Sequence, residues 1–326
     1  MPNSSELIRE ARSLKSMLAS AILFTLAAAP QTLLAGEGGT SHVLPGANAT
    51  LMDVLPTSPG GFVKPMYMHY NGSASARVPT AAGLAANLDA TANTFALGGG
   101  FTFEPTVLGG AHYTVAAFLP YTWLDVSANV QASGGTVVHQ SSVSGFGDLT
   151  VVPVMLAWKT GDWQIDALMP IYAPSGSYQE GRLGNPGLNY WTFDPMVGVV
   201  YSSKQSGFNA MLHVGYGMNT ENADTDYRSG SLLHFDAAIQ QILPVGSGFL
   251  TLGAEGFYFD QVTGDSGAGA VLGEFKGRTD GLGPVLGYIQ PLGKQALLFE
   301  LKWLPELDTK NRLDGNYIWL KAVYKF

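Results

Sequence analysis

Long segments with a two-residue period govern what this chain can fold into. Leu297, Phe299, Leu301 and Trp303 alternate with Ala296, Leu298, Glu300 and Lys302. Trp163, Ile165, Ala167, Met169 and Ile171 alternate with Gln164, Asp166, Leu168 and Pro170. Leu233, Phe235, Ala237 and Ile239 alternate with His234, Asp236, Ala238 and Gln240. Side chains of a strand point in turn to its two faces, so each segment reads as a strand with one apolar and one mixed face. Twelve such segments span 61–71, 92–104, 110–127, 146–159, 162–173, 189–203, 207–219, 231–243, 248–261, 278–290, 294–305 and 314–326. Most exceed the ~5–6 residues usual in soluble sheets and suffice for the ~9–11 of a tilted membrane strand.

The connections alternate in length. After every second strand they are short, as at Thr160-Gly161, 204–206, 244–247 and 291–293. The others are longer, as at 72–91, 128–145, 174–188 and 263–277. Outer-membrane barrels have short periplasmic turns and longer outer loops, whereas a soluble sandwich has no reason to sort its loops. The reading is an all-β fold, a transmembrane antiparallel β-barrel of about twelve strands with both termini on the short-turn side. Tyr67, Trp123, Trp163, Trp191, Tyr201, Tyr258 and Trp319 lie near segment ends, where interfacial aromatic girdles are expected.

Composition excludes other classes. Charged residues are only 13% of the 326, against ~25% in soluble domains, and Gly is 41. No run of 18 or more apolar residues supplies a spanning helix. The net charge of −8 offers no basic stripe for nucleic acid. The absence of Cys removes thiol catalysis, Cys-based zinc sites and disulfides.

Arg9, Arg12 and Lys15 precede an apolar run from Met17 to Ala29, the form of an export signal. Residues 1–35 are therefore expected to be cleaved, leaving 36–60 as an N-terminal plug or periplasmic segment and 61–326 as the barrel. Within 36–60, Ala47, Leu51, Val54 and Leu55 are expected on one face of a short helix ending near Asp53 and Pro56. The chain ends in Phe326, with Ile318, Leu320, Ala322 and Tyr324 on the same face. This pattern resembles the final-strand signal read by the bacterial barrel assembly machinery.

Three further runs, Glu37 to Ala47 (EGGTSHVLPGA), Gly145 to Leu149 (GFGDL) and Met169 to Gly176 (MPIYAPSG), resemble a bacterial family assigned to the meta-pathway of phenol degradation. The resemblance extends over 36–326. It implies a hydrophobic-compound channel in the bacterial outer membrane, giving small hydrophobic molecules, aromatic ones included, passive entry. A general aqueous porin and a closed-lumen envelope enzyme or structural barrel stay open as alternatives.

Assigning the apolar face of each strand to lipid turns a mixed set inward. The candidate substrate-lining residues are Met66, Met68, His112, Phe118, Asp166, Met196, Met211, His213, His234, Asp236, Glu255 and Phe257. Lys64, Thr94, Glu104, Thr114, Glu300 and Lys302 share that face in the same reading. A lumen with few charges accepts apolar solutes, although internal ion pairs that simply fill a narrow barrel would look alike. His213, His234 and Asp236 can be drawn as a His–Asp pair or metal site, but lumen filling is the stronger reading. His42, His69, His112 and His139 form no pair at ligand spacing. No catalytic residue, metal or cofactor is implied. The expected partners are outer-membrane lipid and lipopolysaccharide, the assembly machinery through Phe326, and small hydrophobic solutes.

Overall fold

The computed structural model describes residues 40–77, 85–104, 106–132, 135–270 and 273–326; the expected export signal over 1–35 lies outside them. Fifteen strand segments appear in chain order: β1 (Gly60–Arg77), β2 (Ala85–Thr102), β3 (His112–Ala132), β4 (Gly135–Phe146), β5 (Leu149–Thr160), β6 (Trp163–Leu168), β7 (Ile171–Ala173), β8 (Thr192–Phe193), β9 (Met196–Ser202), β10 (Phe208–Asn219), β11 (Leu232–Val245), β12 (Gly248–Gln261), β13 (Arg278–Leu292), β14 (Gln295–Lys310) and β15 (Asp314–Lys325). Neighbouring strands pair antiparallel, and β1 pairs with β15, so the sheet closes on itself. Three wall strands are broken in two: β4 and β5, β6 and β7, β8 and β9 each continue one another. The closed barrel thus has the twelve wall strands that the periodicity predicts.

Closure pairs the wall on both sides, as a hydrocarbon environment demands of a spanning sheet, except along β4, which pairs only with β3. Phe95, Leu97, Trp163, Ile165, Val197, Leu212, Leu252, Phe299, Leu301 and Leu320 are exposed around the outside. An apolar belt this continuous belongs against lipid rather than water. At three of the short connections Gly161, Gly246 and Gly293 have φ of 61°, 61° and 69°. Each is the first of two residues between strands, where a type II′ turn requires a positive φ and glycine meets it without strain.

The strands differ from the expected spans at the long-loop end. Residues 72–77 and 85–91, expected as loop, extend the β1–β2 ladder, and 128–132 pair with 135–139. These stretches are rich in Ala, Ser, Thr and Asn; beyond the apolar belt the period that marks a strand disappears while backbone pairing continues. The breaks fall at Gly147-Asp148, Met169-Pro170 and Asp194-Pro195, neighbours across three adjacent wall strands. Pro170 and Pro195 cannot donate to the ladder. Single bonds still bridge the breaks: Gly147 N to Pro120 O, Asp194 N to Pro170 O and Tyr216 N to Pro195 O. The wall is kinked there, not parted.

Two side chains face the other way from expectation. Trp319 is inward and buried, because it alternates with the outward Ile318 and Leu320. Glu104 is exposed in the turn after β2, past the last paired residue, Thr102. The expected helix around 47–55 is also absent: the segment is a run of turns. Thr50 N and Oγ1 bond to Asp53, and Asp53 N bonds to Thr50 O. Lys64 on β1 and Lys321 on β15 bind its carboxylate, and Gln240 on β11 and Gln164 on β6 bind its peptide groups, so local bonding need not be helical.

Candidate functional site

Residues 40–59 run inside the barrel and are held by inward side chains of its wall. Gly46 N donates to Asp236, and Leu51 N donates to Gln240. Trp319 Nε1 donates to Pro45 O, and Gln164 Nε2 to Leu55 O. Lys321 Nζ bonds the carbonyls of Gly46 and Ala47 at 3.0 Å each and both Asp53 carboxylate oxygens at 3.1 Å. Lys64 Nζ reaches Asp53 at 2.5 Å. Burial works to raise the Asp53 carboxyl, but Lys321, Lys64 and Lys302 outweigh it and hold the group well below its ordinary value. A peptide segment with its polar groups satisfied can sit in a lumen; one without them could not.

The segment lies to one side. Leu51 and Val54 pack on Val200, Met211 and Ala238. Met52 and Leu55 pack among Phe62, Val152, Met155 and Val323. On the side of β1 to β5 a cavity of about 390 Å³ remains. Its wall is the inner face of β2 and β3, where Leu88, Ala90, Ala92, Thr94 and Ala96 stand beside Phe118, Pro120, Thr122, Leu124 and Val126. Alanine at three of five inward positions on β2 explains the space, because nothing there reaches across. The volume exceeds the ~150 Å³ of an apolar cavity that takes up benzene and falls in the ~300–1,000 Å³ range of small-molecule sites.

The loop over 174–191 folds back to the cavity's other end, where Leu183 packs on Ala90, Val126 and Ala128. Asp148, at the break between β4 and β5, anchors this loop. It accepts the amides of Ser175 at 2.9 Å, Gly176 at 2.7 Å and Leu188 at 2.6 Å. It also accepts His42 Nε2 at 2.8 Å. Burial works to raise the Asp148 carboxyl; the bonds from His42, Leu188 and Gly176 overcome it and leave the group below its ordinary value. On the far side of the ring His42 Nδ1 meets Thr192 Oγ1 at 2.6 Å. Thr192 gives its hydrogen to Asn219 Oδ1, and Asn219 Nδ2 is taken up by the carbonyls of Ser229 and Gly230. The His42 ring stacks on Tyr172 at 5.0 Å. The three sequence runs that carried the family resemblance thus converge: His42, Asp148, and Ser175 with Gly176 are bonded to one another through a single carboxylate.

The candidate lining residues divide into two groups. Met66, Met68, Phe118 and His213 line the cavity. Asp166, Met196, Met211, His234, Asp236, Glu255 and Phe257 face inward but are buried in packed contact on the side of β6 to β14, outside the cavity lining. Lys302 bonds Glu255 at 2.7 Å, with Glu300 at 3.6 Å. His234 bonds Asp194 at 2.9 Å with Asp236 at 3.6 Å, and His213 lies 3.7 Å from Asp166. His112 is half-buried at the start of β3, opposite Ala157 and away from the cavity. Among the described residues no group of three or more His, Asp or Glu is placed to hold a metal ion. The sequence reading did not single out Ala92, Ala96, Leu124 or Asp148 as site residues; the sign of the wall was an inner face of small residues, and of Asp148 the GFGDL run.

A closed twelve-stranded barrel with an apolar outer belt and a segment threaded inside it defines an outer-membrane β-barrel. The chain belongs to the family described as "Putative MetA-pathway of phenol degradation", whose model matches residues 71–322. A crystal structure of an outer-membrane channel from Pseudomonas putida F1 superposes with a TM-score of 0.62 at 18% identity, over 87% of this chain and 100% of that one. That likeness is one of fold. The β domain of the Bordetella autotransporter BrkA matches with a TM-score of 0.44 at 13% identity, over 82% of this chain and 100% of that one. No curated protein matches the sequence.

Proposed function

We propose that this protein is a passive outer-membrane channel for small hydrophobic compounds, aromatic ones among them, whose uptake feeds their degradation. The observation that carries this reading is the cavity, walled by Met, Ala, Leu and Phe and wide enough for a substituted benzene ring. A lipopolysaccharide leaflet resists apolar solutes, so a protein passage across it has a use. Residues 36–60 act as a plug. Their described part, 40–59, lies on the charged side of the lumen, and on this reading it blocks the flow of ions. The chain performs no catalysis: its His–Asp pairs are structural contacts within the packed side. It is exported by way of residues 1–35, which are then cleaved, and assembled into lipid through the strand ending in Phe326.

The test is planar-bilayer recording of the refolded chain with and without residues 36–58, beside uptake of toluene into liposomes. The full chain should be electrically silent yet speed toluene uptake, and the truncated chain should show steady current steps. Large steps from the full chain would instead make it an aqueous porin. Silence of both, with no uptake, would mean a closed lumen.

A further inference from the structure

We infer that the cavity carries a hydroxyl-recognition point, formed by Thr94 and Thr122, which selects neutral apolar molecules bearing a hydroxyl group. The inference rests on the reading of the cavity as a site for apolar solutes. Thr94 on β2 and Thr122 on β3 are register partners, and their hydroxyls bond each other at 2.8 Å. Both line the cavity. Along β2 their inward neighbours are Ala92 and Ala96, and along β3 they are Pro120 and Leu124. Met68 stands opposite Thr94 on β1. The pair is therefore the polar point in an otherwise apolar stretch of wall.

The hydrogen count fixes what such a pair recognises. Two hydroxyls hold two hydrogens and four lone pairs. Their mutual bond uses one of each, so one donor and three acceptor sites remain for other partners. A hydroxyl group both donates and accepts, and can engage both functions at this point. A hydrocarbon engages neither and leaves the donor without a partner, which costs free energy in an apolar surrounding. The molecule contains its own comparison. Thr102 and Thr114 make the same cross-strand bond at 2.8 Å, but both are fully buried and neither lines the cavity. That pair stabilises the sheet; the Thr94–Thr122 pair has the same chemistry and an open side.

The experiment measures binding of p-cresol and p-xylene, which differ by a hydroxyl in place of a methyl group, to the full-length protein. Equilibrium dialysis in detergent against protein-free micelles removes the partition of each compound into detergent. The wild-type chain should prefer p-cresol by about three- to tenfold after that correction, the size of one or two neutral hydrogen bonds. The Thr94→Val/Thr122→Val variant should lose the preference while still binding p-xylene. The Thr102→Val/Thr114→Val variant should keep it, which separates recognition from any general loosening of the sheet. Equal binding of both compounds by the wild-type chain, or a preference that survives Thr94→Val/Thr122→Val, would overturn the hydroxyl site and leave the apolar cavity standing. Binding of neither compound would remove the cavity's function as well.

Discussion

The two sides of the lumen are built on the same wall and filled by opposite means. From β1 to β5 the inner face is mostly small or apolar, and space is left. From β10 to β15 it carries Asn209, His213, His234, Asp236, Gln240, Glu255, Lys302, Glu306, Trp319 and Lys321, all buried. Most of those side chains are polar, and four of them, Asp236, Gln240, Trp319 and Lys321, bind a threaded backbone rather than each other alone. The difference teaches how a twelve-stranded barrel can be closed to ions and still hold an apolar void. Charge is paired where the N-terminal segment supplies carbonyls, amides and Asp53, and is kept away from the wall where nothing could pair it. A buried ion left without its partner is costly, so the polar side must be fully occupied. Alanine tolerates an empty neighbour at much lower cost.

That contrast can be broken most severely at Lys321. Lys321→Met removes the ammonium that holds Gly46, Ala47 and Asp53 together. Lys64 keeps part of the carboxylate's pairing, so the expected cost is about 3 kcal/mol, the low end for breaking a buried pair. Urea unfolding should read that loss, and residues 40–59 should become open to protease while the barrel stays intact. Normal protection of the segment would show that its grip is shared too widely for one lysine to matter.

The next effect compares added bulk on the two sides. At Gly215 a new Cβ would lie 2.1 Å from His234 Nε2 and 2.9 Å from Met196 Cγ. Gly215→Ala should therefore destabilise the barrel by about 1–3 kcal/mol, as overpacking does. Ala96→Phe adds far more volume, but into the cavity. It should change the urea midpoint little and abolish the uptake of toluene by liposomes. If the larger substitution proved the more disruptive to stability, the cavity would be occupied by something the wall needs.

The wall was more legible in the sequence than its contents. Alternation along 163–171 and 296–303 placed the faces correctly because lipid demands an unbroken apolar side. The same logic failed for Trp319, whose girdle assignment rested on residue type although its neighbours Ile318 and Leu320 already claimed the outside. It failed for 128–140 because strands beyond the belt have no apolar period to show. Inside the lumen the inward set was largely identifiable, yet its division was not. Whether Asp236 lines a passage or holds Gly46 depends on where 40–59 lies, and no period in those residues encodes that path. Asp148 shows a further limit. Its partners come from 42, 175, 176 and 188, and only the fold brings those positions together.

Asp148 also supplies the most local and most conditional effect, confined to one loop at the kink where the two sides of the lumen meet. Its folded-state carboxyl titrates below its ordinary value. A group depressed in this way stabilises the native state above its unfolded pKa, and the contribution fades as pH falls through the folded value. The loop over 174–191 should therefore stay protected from protease at neutral and mildly acid pH. It should loosen only below about pH 4, beneath the ordinary carboxylate range. Asp148→Asn should loosen the loop at neutral pH and flatten the profile, since the amide is neutral throughout and offers the loop only one acceptor oxygen. The cost should be about 1.5–3 kcal/mol at pH 7, the worth of a hydrogen bond to a charged group, and should shrink toward zero in acid. A loop unchanged by Asp148→Asn would mean that Leu183, packed on Ala90 and Val126, holds it without the carboxylate.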